Sequence, residues 1–207
     1  MKFRSNTIKF CYNKAQLMYG YNHTKKLLEE HMLITVIVCL IFLARLLFLR
    51  LSLKNEANIL KNGGREYGQK NTQVLTLLHI LFYLSCLAEA ILRGQNFDWI
   101  STIGLVFLAF SIWMLYFVTR ILEGIWTVKL MLVKDHKFID HWLFRLVKHP
   151  NYYLNIIPEL LGLTLLCHSY ISFSLLFPCY LVLLYRRIRQ EDELLRTIII
   201  PNGIIQK

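Results

Sequence analysis

The chain has 207 residues, 56% of them hydrophobic, and a formal net charge of +11. Soluble domains run nearer ~45–50% apolar. The excess here gathers in blocks that approach or exceed the ~18 residues of a membrane span, which excludes a large soluble domain. The basic residues flank those blocks, so they read as anchors beside anionic headgroups and not as a nucleic-acid surface.

Residues 1–31 form a polar, basic extension carrying Lys2, Arg4, Lys9, Lys14, Lys25 and Lys26. No apolar core precedes Met32, so the segment is not a usual signal peptide. The first span is expected from Met32 to Leu49, closed by Arg45 and Arg50, with Arg45 snorkelling to the interface. A polar loop from Ser52 to Thr72 follows, and its Asn62-Gly63-Gly64 reads as a turn or helix stop. The second and third spans are expected at Gln73–Leu92 and Trp99–Thr119, with Trp99 suited to an interface. The segment Arg120–Asn151 is polar. From Tyr152 to Tyr185 the chain is one apolar run with His168 and Ser169 near its middle. That run is too long for one ordinary crossing and just long enough for two short ones, so it predicts a helical hairpin turning near Cys167–Ser172. The fold class is therefore all-α: an integral membrane bundle of about five short spans over residues 32–196, with a short tail, residues 197–207.

Orientation follows from Lys and Arg. Arg50–Thr72 carries five, Arg120–Asn151 six and the tail from Arg186 five, against seven in residues 1–31 and Arg93. The positive-inside rule places the three polar segments in the cytoplasm, although the basic N-terminus runs against it. Cys11, Cys39, Cys86, Cys167 and Cys179 form no CxxC pair and read as small apolar residues. His23, His31, His136, His141 and His168 show no metal-ligand spacing, so no metal is expected.

Chemistry must come from the polar segments on one face. In Lys148-His149-Pro150-Asn151-Tyr152, Pro150 biases His149 away from the helix and presents it where the next helix begins. A plain helix start with an aromatic anchor gives the same pattern. Near the C-terminus, Arg187 and Glu191 stand i,i+4 and share a helix face, as a surface ion-pair ladder also would. His79, Glu89 and Glu159 lie inside apolar blocks. They line a cavity or hydrogen-bond between helices, since an unpaired polar group there is costly.

Together these runs resemble the isoprenylcysteine carboxyl methyltransferase family. Its signature is an Arg/Lys-His-Pro-x-Tyr turn, a helical hairpin, then Arg-Ile-x-x-Glu-(Glu)-x-x-Leu. The turn here is Lys148–Tyr152 and the ending is Arg187-Ile188-Arg189-Gln190-Glu191-Asp192-Glu193-Leu194-Leu195. Lys54–Gly68 and Gly124–Lys129 are similar to the bacterial branch, which includes alkylpyrone O-methyltransferases. The chain departs from the pattern at Lys148, at Asp192, at His141–Phe144 and in the tail from Ile198.

The resemblance implies an S-adenosyl-L-methionine-dependent enzyme in the bacterial inner membrane, its active site facing the cytoplasm. The implied acceptor is lipophilic, the carboxylate of a prenylated cysteine or similar, and reaches the site from membrane lipid. By the same resemblance Arg187 and Glu191 are the catalytic candidates. His149, Pro150, Tyr152, Lys148, Trp126 and Lys129 are the cofactor-binding candidates. An alkylpyrone hydroxyl as acceptor, a membrane reductase of the sterol-reductase type, and a membrane protein with a decayed site remain open alternatives.

Overall fold

The computed structural model describes residues 32–132 and 141–198 in full, and the backbone alone of residues 2–31, 137–139, 199 and 204–206. The side chains of the basic extension, His23, His31 and His136 among them, lie outside the described residues.

Helix α1, Lys2–Lys61, includes the first apolar block. Its expected end at Leu49 and the loop expected from Ser52 are corrected, because the helix runs on to Lys61. Ser52, Asn55 and Ile59 are the reason. All three are buried, and their i, i+3, i+7 spacing lays one face of the polar stretch against the rest of the chain. The helix stops at the expected Asn62-Gly63-Gly64 turn, where Gly63 takes φ 77° and the Gly64 amide donates to the Ile59 carbonyl.

A three-residue strand β1, Arg65–Tyr67, pairs antiparallel with β2, Leu130–Leu132, so that Glu66 faces Met131. Helices α2, Gln69–Arg93, and α3, Trp99–Ile121, lie between them, close to their expected bounds. Strand β3, Lys137–Ile139, and the short helix α4, Trp142–Leu146, follow. A six-residue π-helical turn, Asn151–Ile156, then leads into α5, Ile157–Cys167. The chain reverses at His168-Ser169, inside the expected window, and α6 runs Tyr170–Leu194. A second π turn, Leu195–Ile199, and strand β4, Ile204–Gln206, close the chain.

Among the described residues, four helical stretches are long and apolar enough to cross a membrane: Met32–Lys61, Gln69–Arg93, Trp99–Ile121 and Tyr170–Ile198. The fifth expected span is α5 with its π turn, and α5 itself has only 11 residues. It meets α1, α2, α3 and α6 and buries Leu160, Leu163, Leu166 and Cys167 completely. An element apolar on every side belongs inside a bundle. Its closest neighbour is α3, where Gly104 and Gly162 face each other. A Cβ on Gly162 would stand 2.9 Å from the Gly104 carbonyl oxygen, so no side chain fits between the backbones.

Glu159 on α5 is fully buried. It pairs with Arg45 Nε at 2.7 Å and accepts from the Tyr83 hydroxyl at 2.5 Å. His79 Nε2 lies 3.6 Å away. Arg45 Nη2 also donates to Ser111 and to Asn155, each at 2.6 Å. Arg45 thus turns into the bundle and does not snorkel outward, because a buried carboxylate without a counter-charge would be far more costly. At the opposite end of α2, Glu89 accepts from the Ser172 amide at 2.8 Å and hydroxyl at 2.7 Å, capping α6. The intramembrane titratable residues therefore bond between helices.

Candidate functional site

The C-terminal turns of α6, the start of the π turn, the first turn of α2 and strand β2 converge at one end of the bundle. Arg187 stands at their centre and is 3% exposed. Its Nη1 donates to the Thr72 hydroxyl at 2.6 Å, its Nη2 to the Val128 carbonyl at 3.0 Å, and its Nε to the Tyr152 hydroxyl at 3.3 Å. A guanidinium has five N–H groups, so two have no acceptor among the described residues. The Tyr152 hydroxyl in turn donates to Glu191 Oε2 at 2.7 Å. The i,i+4 spacing of Arg187 and Glu191 thus directs both side chains to one tyrosine on another element.

Pro150, at φ −63°, begins the π turn, and the His149 carbonyl accepts from the Tyr152 and Tyr153 amides. This fold-back stacks the His149 ring on Tyr152, with centroids 5.8 Å apart. His149 Nε2 lies 2.9 Å from Asp192 Oδ1, and Nδ1 lies 3.5 Å from Glu191 Oε1. Burial opposes charging of the ring, but the hydrogen bonds and charges of Glu191 and Asp192 outweigh it. Its pKa is raised above the ordinary histidine value. Lys148 pairs with the same Asp192.

The β1–β2 pair builds the adjoining wall. Lys129 Nζ lies 2.5 Å from Glu56 Oε1 on α1 and 3.4 Å from Glu66 Oε2 on β1. The hydrogen bond to Glu56, reinforced by both carboxylate charges, raises the Lys129 pKa despite burial. Trp126 is buried in an apolar cluster with Met114, Leu115, Val118 and Leu143, and its carbonyl accepts from Asn55 Nδ2 at 2.8 Å. Ser52 accepts from the Val128 amide at 2.9 Å. The extension of α1 beyond Leu49 thus holds the segment whose carbonyl binds Arg187.

His149, Tyr152, Arg187 and Glu191 form one contact network, which Lys148 joins through Asp192. Trp126 and Lys129 flank Val128 and connect through its carbonyl. Glu56, Glu66 and Val128, from the runs Lys54–Gly68 and Gly124–Lys129, join the same contacts, and so does Thr72, which no motif marked. Three buried side-chain atoms near this end have no hydrogen-bond partner among the described residues: Trp126 Nε1, Glu56 Oε2 and Glu66 Oε1. Among the described residues no group of three or more His, Cys, Asp or Glu is arranged to hold a metal.

The fold and this geometry define a membrane helical bundle with a charged, hydrogen-bonded cluster at one end. Residues 102–197 match the isoprenylcysteine carboxyl methyltransferase family. An uncharacterised protein of Haemophilus influenzae is 38% identical over 160 residues, covering 77% of this chain and 93% of that relative. The uncharacterised protein YpbQ of Bacillus subtilis is 30% identical over 162 residues, covering 78% of this chain and 95% of that relative. The chain belongs to the isoprenylcysteine carboxyl methyltransferase family and is a membrane methyltransferase of that kind. No solved structure matches it.

Proposed function

We propose that the chain is an S-adenosylmethionine-dependent O-methyltransferase acting on a lipophilic acceptor, the carboxylate of a prenylated cysteine or a similar acid. The observation that carries this reading is the network joining Arg187, Tyr152, Glu191 and His149 at the end of a membrane bundle.

The unpartnered atoms fit the cofactor's chemistry. Trp126 Nε1 offers a donor, and Glu56 and Glu66 offer carboxylate oxygens. S-adenosylmethionine presents a carboxylate, an ammonium and ribose hydroxyls to match them. When bound, it supplies an electrophilic methyl group on a sulfonium. His149, Pro150, Tyr152, Lys148, Trp126 and Lys129 are assigned to holding it. The two spare N–H groups of Arg187 suit a carboxylate, whose geometry matches the guanidinium fork. Glu191 holds Tyr152 and His149 in place. A carboxylate acceptor is already ionised near neutral pH, so the protein needs no strong base. Its task is to place the acceptor oxygen in line and keep water out. The site lies at the cytoplasmic face of a bacterial inner membrane in this reading.

An alkylpyrone hydroxyl is the second acceptor reading. Lys54–Gly68 and Gly124–Lys129, the segments similar to that branch, meet through the Lys129 contacts with Glu56 and Glu66 and the Asn55–Trp126 hydrogen bond. Membranes carrying the protein are incubated with methyl-labelled S-adenosylmethionine and either a prenylcysteine or an alkylpyrone. Base-labile label on the prenylcysteine supports the ester. Base-stable label on the pyrone alone overturns it in favour of the ether.

A further inference from the structure

A groove of about 460 Å³ runs between the first turns of α2 and the last turns of α6. It lies outside the network around Arg187. Lys70, Arg186 and Arg189 line its polar end, and Val74, Leu183 and Tyr185 continue it along the apolar helix surfaces. The three cations are exposed. Each stands at the polar end of a helix long and apolar enough to span a membrane. No hydrogen bond or ion pair joins them to any described residue, whereas Lys129 and Lys148 nearby are each paired with carboxylates. The groove is therefore cationic where lipid headgroups lie and apolar where acyl chains begin.

We propose that this groove binds an anionic phospholipid, with the phosphodiester held by Lys70, Arg186 and Arg189 and the upper acyl chain along Val74, Leu183 and Tyr185. A soluble phosphate would use the cations and leave the apolar half uncovered, so the lipid is the occupant that matches both halves. The site goes beyond methyl transfer and does not depend on it.

The groove and the methyl-transfer network share α6. Arg186 and Arg189 are exposed on a different face of α6 from Arg187, which is buried in the network with Glu191. Gln190 lines the groove and packs on Gly68 so closely that a Cβ there would sit 2.5 Å from its Oε1. Asn71 Nδ2 also reaches the Leu183 carbonyl at 3.4 Å. A bound lipid would thus bridge two helix ends that already touch, on the outer side of the Arg187–Thr72 bond.

The test uses the full-length protein in mixed phosphatidylglycerol and phosphatidylcholine nanodiscs, with retained lipid counted by native mass spectrometry after detergent exchange. Wild type is expected to retain phosphatidylglycerol selectively. Arg186→Gln with Arg189→Gln should lower that retention about tenfold or more, since each juxtamembrane cation strengthens binding to anionic lipid several-fold. The same charge is removed elsewhere on α1 by Arg50→Gln with Lys61→Gln, which should leave retention near wild type. Lys70→Gln alone, a milder change, should lower it several-fold and serves if the double variant does not insert. Equal loss in both double variants would mean diffuse attraction and would overturn the site. So would retention without preference for phosphatidylglycerol, or equal thermal stabilisation by soluble glycerophosphate.

Discussion

Arg187 donates to Thr72, Val128 and Tyr152, which belong to α2, the segment before β2 and the π turn. A lysine keeps the charge but offers a single point of attachment, which cannot span three acceptors held in a planar fork. Arg187→Lys should therefore lower methyl transfer by about 100-fold or more, because misplacement on the order of an ångström costs that much. The variant should still insert into the membrane, since no span depends on this charge. Transfer of labelled methyl, alongside quantified membrane-inserted protein, checks it, and near-normal turnover in the lysine variant counts against the clamp.

His149 supplies a prediction of opposite character. Its pKa is raised in the folded chain above the ~6.5 of an unperturbed ring. The stabilisation it draws from Glu191 and Asp192 is fully present below about pH 6.5 and is lost as pH rises through the folded value. Melting temperature should fall between about pH 6 and about pH 9 more steeply for wild type than for His149→Gln. Parallel curves would show that the ring is not charged in the fold. The Lys148–Tyr152 turn and the Arg187/Glu191 pair were legible because a proline break and an i,i+4 spacing leave marks in the sequence. Thr72 and the Val128 carbonyl left none, since a single hydroxyl and a backbone oxygen look alike in any polar segment.

At the level of elements, α5 is held by two features of different kinds. One is the backbone contact with α3 at Gly104 and Gly162. Gly162→Leu has no space to enter and should destabilise the bundle by about 1–3 kcal/mol or more, read as a lower melting temperature in detergent. The other is the Arg45–Glu159 pair. Removing Glu159 alone leaves a cation among apolar side chains, so Glu159→Ala should cost about 3–5 kcal/mol. The double change Arg45→Met with Glu159→Gln should cost clearly less than Glu159→Ala. Equal losses would mean that the charges do not act as a pair.

The same features show where sequence reading stops at this scale. Hydropathy located α2, α3 and the hairpin closely, because a span is mostly apolar whatever it packs on. It ended α1 too early, since Ser52 and Asn55 are buried polar residues that a hydrophobic pattern cannot register. It sent Arg45 to the interface because its partner Glu159 comes from a distant part of the chain. The π turn was not visible either. Asn155 on it accepts from Arg45 and Ser111, and both partners come from distant parts of the chain.

For the whole molecule, the network around Arg187 and the Asp98–His168 contact mark opposite ends of the bundle, because successive helices run up and down between them. His168 Nε2 lies 3.1 Å from Asp98 Oδ1, where α3 begins and α5 ends. A cysteine placed at Gly63 should react with an impermeant maleimide from one side of the membrane only, and one at Gln95 only from the other. Labelling of both from one side would contradict the alternating path.

The central claim is that the charged end of this bundle is an S-adenosylmethionine site. Calorimetric titration of the purified protein with S-adenosylhomocysteine tests it without any knowledge of the acceptor. The account predicts saturable binding to wild type, clear weakening by His149→Ala, and no binding of NADPH. Tight binding of NADPH, with none of S-adenosylhomocysteine, would contradict it.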